Sequence, residues 1–213
     1  MNLWGVFFGS FLIGFSGAIM PGPMLGIVIN GSLKKGWKAG PLTVTGHGLL
    51  ELALVVLMAF GLKDFFSNPT VAGLVGLFGG AFLAWMGYGM IKSGIKKSVS
   101  LENQSAGKRT GLDNLILSGA LVSITNPYFI IWWSSTGMES VRRSQAFGLM
   151  GIIAFFTGHI LSDFTWYFAV SAAFSKGKKL LSDRAYRWLI IFLGGFITAF
   201  SVYFITGGLR MLH

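Results

Sequence analysis

The stretch GAIMPGP, Gly17 to Pro23, lies inside a run without one charged side chain that extends from Met1 to Leu33. More than about 18 apolar residues in a row are enough to cross a bilayer as a helix. Pro21 and Pro23 sit deep in that run, and each removes a backbone donor and clashes with the carbonyl four residues back. Hydrocarbon does not solvate broken backbone, so such a break is tolerated only where it is buried in protein or lines a cavity. The fold therefore turns on whether this break stands alone or recurs.

The rest of the chain has the same character. It has 213 residues, 53% hydrophobic and 11% charged, against about 25% charged in a soluble domain. Six all-α membrane helices are expected, over roughly 3–31, 40–62, 70–92, 112–137, 145–174 and 187–210, in a single transmembrane domain, 1–213. The polar, Gly/Ser-rich segment 93–111 divides repeat one, about 1–92, from repeat two, about 112–213. It is too short to fold alone. The N-terminus lacks the basic region and small-residue cleavage site of a signal peptide. The net charge of +10 belongs to membrane flanks, with no basic-aromatic motif standing apart from them, so nucleic acid is not an expected partner. Without cysteine, thiol redox chemistry and thiolate metal sites are excluded.

Thirteen Lys and Arg fall in loops one, three and five, and four on the other side. Positive charge favours the cytoplasm, so both termini are expected outside the cell. Gly5/Gly9, Gly22/Gly26 and Gly76/Gly80 have the small-xxx-small spacing that lets helix backbones approach.

The break recurs. Pro21-Gly22-Pro23 in helix one is matched by Asn126-Pro127 in helix four. Gly46-His47 with Glu51 in helix two is matched by Gly158-His159 with Asp163 in helix five. Helices three and six carry no charge away from their ends. This pattern is expected of a three-helix unit repeated once. Because three is odd, the second copy enters the bilayer inverted, as in many secondary transporters, whose sites lie at midplane beside discontinuous helices.

Glu51 and Asp163 fall near the middle of their helices, where a carboxylate costs a few kcal/mol unless it faces a cavity, pairs or is protonated. Each is therefore a candidate proton carrier or cation ligand. His47/Glu51 and His159/Asp163 are spaced i,i+4, on one helical face. The simplest role for each histidine is to hydrogen-bond its carboxylate. The alternative is that all four hold a divalent metal ion. Ser16, Asn30, Thr43, Thr45, Ser123, Thr125, Ser134, Thr157 and Ser162 are further polar groups at membrane depth, and Tyr128, Trp132, Trp133, Trp166 and Tyr167 are candidate cavity walls or interface residues.

The segments GFSGAIMPGPMLGIVINGSLKKGWKAGP (14–41), TGHGLLELALV (45–55), SITNPYFIIWW (123–133) and FFTGHILSDFTWYFAV (155–170) together resemble the lysine exporter (LysE/RhtB-type) translocator family. The resemblance covers the whole chain and implies export of amino acids or similar small metabolites across the cytoplasmic membrane. It also implies driving by a proton or other cation gradient, and oligomers. The expected function is a proton-coupled amino-acid exporter, not an enzyme, and no cofactor is expected. Its substrate-binding or coupling residues would be Pro21, Gly22, Pro23, His47, Glu51, Asn126, Pro127, His159 and Asp163. The alternatives are a divalent-metal transporter using both His/carboxylate pairs and an intramembrane metalloenzyme.

Overall fold

The computed structural model describes residues 2–59, 68–97, 114–177 and 182–212. Among these the chain is all helical. Helix one is two helices, α1 (Leu3–Ala18) and α2 (Pro23–Lys35). The Asn2 side chain caps α1 by accepting from the Gly5 N–H at 2.9 Å. A residue before proline is driven out of the helical region, and Gly22, ahead of Pro23, is extended, with φ −148° and ψ −177°. Pro23 then opens α2 at its first position, where its missing N–H costs nothing.

The loop expected at 33–39 is mostly helical. Helix α2 runs to Lys35, and a 3₁₀ turn, Gly36–Lys38, leads into α3 (Ala39–Ala59). Gly36 has a φ of +78°, a left-handed conformation glycine adopts without a Cβ penalty. Helix α4 follows over Pro69–Ile95 and includes the start of the polar segment expected at 93–111. Residues 98–113 lie outside the described part. The expected break at Asn126-Pro127 separates α5 (Leu115–Ile124) from α6 (Pro127–Trp132). There the Asn126 side chain caps α6 by accepting from the Tyr128 N–H at 3.1 Å.

A π turn, Trp133–Gly137, follows, and then α7 (Met138–Gln145), a segment left between helices by the sequence reading. Glu139 accepts from Arg142 and Arg143 at 2.7–2.8 Å. These two guanidiniums hold its carboxyl down at about 2. Helices α8 (Gly148–Gly177) and α9 (Asp183–Leu212) complete the fold; α8 lies three residues further along than expected, and α9 is longer than expected.

Among the described residues, four segments are long and apolar enough to cross a membrane: 23–59, 69–95, 148–177 and 183–212, with α1 and α5 as shorter apolar helices. Their outer faces present large apolar side chains, among them Phe78, Trp85 and Leu149, each more than 70% exposed. A belt of this kind suits hydrocarbon as solvent, not water. The principal packing pairs are α1 with α8, α3 with α5, and α4 with α9, each joining one half of the chain to the other.

Glycine sets these crossings, at positions only partly foreseen. Gly76 and Gly80 do meet α9, with Cβ positions 3.0 and 3.1 Å from the Phe204 and Ser201 carbonyls. Gly9 has nothing within 4 Å, and Gly22 and Gly26 meet only atoms at 3.8–3.9 Å. Closer approaches belong to glycines outside these pairs, among them Gly46 and Gly158. A Cβ on Gly46 would collide with the Ile116 carbonyl, and one on Gly158 with the Phe7 carbonyl.

Candidate functional site

Each of these two glycines directly precedes a histidine. The close crossings therefore bring His47 on α3 and His159 on α8 inward beside the opposing helices. A cavity lies there, between the two breaks. It is lined by Met20 to Pro23 at one break and by Ser123 and Asn126 at the other. His47, Glu51, His159 and Asp163 also face it. Leu83 of α4, with Ile197 and Phe200 of α9, supplies an apolar side.

Glu51 is the hub. It is 2% exposed, and its Oε1 lies 3.0 Å from His47 Nε2 and 3.1 Å from His159 Nε2. The Trp133 indole N–H donates to the same oxygen at 3.2 Å. The π turn starts at Trp133; such turns often occur at functional sites. Asp163 Oδ2 lies 3.9 Å from both Nε2 atoms. Glu51 Oε2, Asp163 Oδ2 and His159 Nδ1 are buried without a hydrogen-bond partner. Rings enclose the group: Trp132 stacks on His159 at 4.8 Å, and Phe129 meets His47 edge-on at 5.4 Å.

Ser123 fixes one tautomer. Its hydroxyl donates to the Gly119 carbonyl at 2.7 Å and lies 2.6 Å from His47 Nδ1. With that hydroxyl proton committed, Nδ1 is the donor to Ser123. A neutral His47 then turns the lone pair of Nε2 toward Glu51 and Asp163. Lone pair and carboxylate attract only through a cation between them, whether a proton or a metal ion. Among the described residues, no Lys or Arg lines the cavity to supply that charge.

Eight of the nine residues singled out from sequence line this cavity: Pro21, Gly22, Pro23, His47, Glu51, Asn126, His159 and Asp163. Pro127 opens α6 beside it. The expected pairing is corrected in one respect. His159 contacts Glu51 of the other half more closely than Asp163 of its own helix, because Asp163 stands 3.9 Å from both histidines. Among the lesser polar residues only Ser123 reaches the cluster. Ser16, Thr43, Thr45, Thr125, Ser134, Thr157 and Ser162 return their hydroxyls to carbonyls three or four residues back. Tyr128, Trp132, Trp133 and Tyr167 wall the cavity, whereas Trp166 packs on Phe15. Sequence reasoning missed Leu83, Ile197 and Phe200, which look like lipid-facing residues in an uncharged helix.

A helical membrane protein whose interrupted helices converge on buried ionisable groups has the anatomy of a transporter. Residues 15–208 match the family described as LysE type translocator, and the chain belongs to it. It is 25% identical over 212 residues to the protein of Bacillus subtilis (strain 168) named "Putative amino acid efflux protein YcgF", covering 97% of this chain and 98% of that one. It is 24% identical over 195 residues to the arginine exporter protein ArgO of Salmonella newport (strain SL254), covering 88% and 87%. The threonine efflux protein of Escherichia coli (strain K12) is 23% identical over 137 residues, covering 62% and 64%. No solved structure matches the chain.

Proposed function

We propose that this protein is a secondary transporter that exports amino acids across the cytoplasmic membrane, with the proton as coupling ion. The observation that carries the reading is the convergence of both helix breaks and all four ionisable residues on one cavity. The names of the relatives, amino acid efflux, threonine efflux and arginine exporter, supply the substrate class. The first turn of α2 has no side-chain cap, so its N–H groups and the positive end of its dipole suit a substrate carboxylate. The buried, unpartnered oxygens of Glu51 and Asp163 suit its ammonium or the coupling proton. Leu83, Ile197 and Phe200 then meet the substrate's side chain.

The pairings α1/α8, α3/α5 and α4/α9 support six spans arranged as a 3+3 inverted repeat. Exchanging the two halves turns the first pairing into the second and leaves the third unchanged. Alternating access then follows from rocking one half against the other.

Inverted membrane vesicles loaded through a panel of labelled amino acids test the function. At least one amino acid should accumulate, and collapse of the pH gradient should reduce its uptake. Absence of uptake across the whole panel overturns the substrate class. Uptake unaffected by the gradient overturns proton coupling alone.

Orientation has its own test. The natural chain has no cysteine, so a single cysteine reports cleanly. A membrane-impermeant thiol reagent applied to intact cells should label Gln145→Cys and spare Lys34→Cys. The reverse pattern places the termini in the cytoplasm.

A further inference from the structure

We propose that His47, Glu51, His159 and Asp163 form a binding site for one divalent transition-metal ion of the zinc, cobalt or nickel class. The ligand set is defined by the side chains alone, so the proposal does not depend on the amino-acid reading. One ligand atom each from His47, Glu51 and Asp163 lie within 4.8 Å of one another. His159 Nε2 stands outside that compact group of three, yet lies 3.1 Å from Glu51 Oε1 and 3.9 Å from Asp163 Oδ2, within reach of an ion held there. An ion with bonds of about 2.0–2.1 Å in a tetrahedron spaces its ligand atoms about 3.3–3.4 Å apart. The nitrogen–oxygen separations here, 3.0, 3.1, 3.9 and 3.9 Å, bracket that edge.

Three further observations point to a cation. The Ser123 contact commits His47 Nδ1 as a donor and leaves Nε2, the atom facing both carboxylates, as the ligand. A ligating histidine characteristically donates its other ring N–H to such an outer partner. Glu51 Oε2 and Asp163 Oδ2 are buried and lack hydrogen bonds, and an unpaired buried charge is costly. Two carboxylates match the charge of a divalent ion in a cavity that no lysine or arginine among the described residues lines. Two imidazoles with two carboxylates select zinc, cobalt or nickel over magnesium and calcium, which prefer all-oxygen shells. In a coupled cycle, such an ion occupies the position of the coupling proton and competes with it.

The test uses the full chain, purified in detergent on an affinity tag without histidine. Titrated with Co²⁺ alone, it should bind one ion per chain and develop the intense visible bands of a tetrahedral site. Zn²⁺ should displace the cobalt, and a large excess of Mg²⁺ should not. The His47→Ala, His159→Ala double variant should lose the bands, whereas His213→Ala should keep them. Ser123→Ala removes only the outer partner, and cobalt should bind it about 10-fold or more weakly. This milder variant decides the matter if the double variant does not fold. A spectrum identical to aqueous cobalt, or tetrahedral binding undiminished in Ser123→Ala or in a folded double variant, overturns the site.

Discussion

The Glu51→Gln, Asp163→Asn double variant should lose gradient-driven efflux while retaining some exchange of substrate across the membrane. Exchange requires binding but no net movement of the coupling ion, and the amides keep size and hydrogen-bonding capacity without titrating. A coupling free energy of about 1–3 kcal/mol corresponds to about a 5- to 150-fold effect. Driven transport in each single variant should fall within that range, and further in the double. Glu51→Gln should be the worse of the two, because Glu51 Oε1 receives His47, His159 and Trp133 together. If the histidines only orient the carboxylates, His47→Ala and His159→Ala should be milder and should move the pH optimum. Full driven transport by the double variant would leave the two carboxylates as structural polar contacts.

The second large effect concerns folding. Gly46→Val should lose the folded, monodisperse protein, and Gly158→Val should do the same. A Cβ at either position runs into backbone, the Ile116 carbonyl for Gly46 and the Phe7 carbonyl for Gly158. A flexible side chain can move aside, whereas a helix carbonyl moves only with its helix. Overpacking a core costs about 1–3 kcal/mol where side chains can adjust, and these positions should lie at or above the top of that range. Gly9→Ala is the control. Nothing lies within 4 Å of its Cβ, and alanine in a helix is better than glycine by roughly 0.5–1 kcal/mol. Thermal unfolding in detergent reads all three. Unchanged melting of Gly46→Val would mean that the α3/α5 crossing does not need its close approach.

The parts of this protein that follow local rules are legible in the sequence. Proline dictates where a helix stops, so both breaks could be placed to the residue. A carboxylate four residues after a histidine shares its helical face, so both pairs could be named. Contacts between halves have no such local signature. Nothing in TGHGLLE states that His159, 108 positions from Glu51, lies closer to Glu51 than to Asp163. Ser123 looked like any serine in an apolar helix until α5 was packed on α3. The glycines show the same limit. Gly5/Gly9 has the expected spacing, yet Gly9 has no close neighbour, while Gly46 and Gly158, outside all three expected pairs, press against the backbone of an opposing helix. The short helix Met138–Gln145 has no apolar signature of its own, being charged and too brief to cross a bilayer.

The three contacts gathered on one oxygen of Glu51 also bear on kinetics. They come from α3, α8 and the π turn before α7. Any motion that parts α3 from α8 must surrender the His159 contact to Glu51. Packed interfaces of this kind have discrete alternatives and do not deform continuously. The passage between outward and inward arrangements should therefore be a switch with a single barrier, and the occupancy of Glu51 should set how often it is crossed.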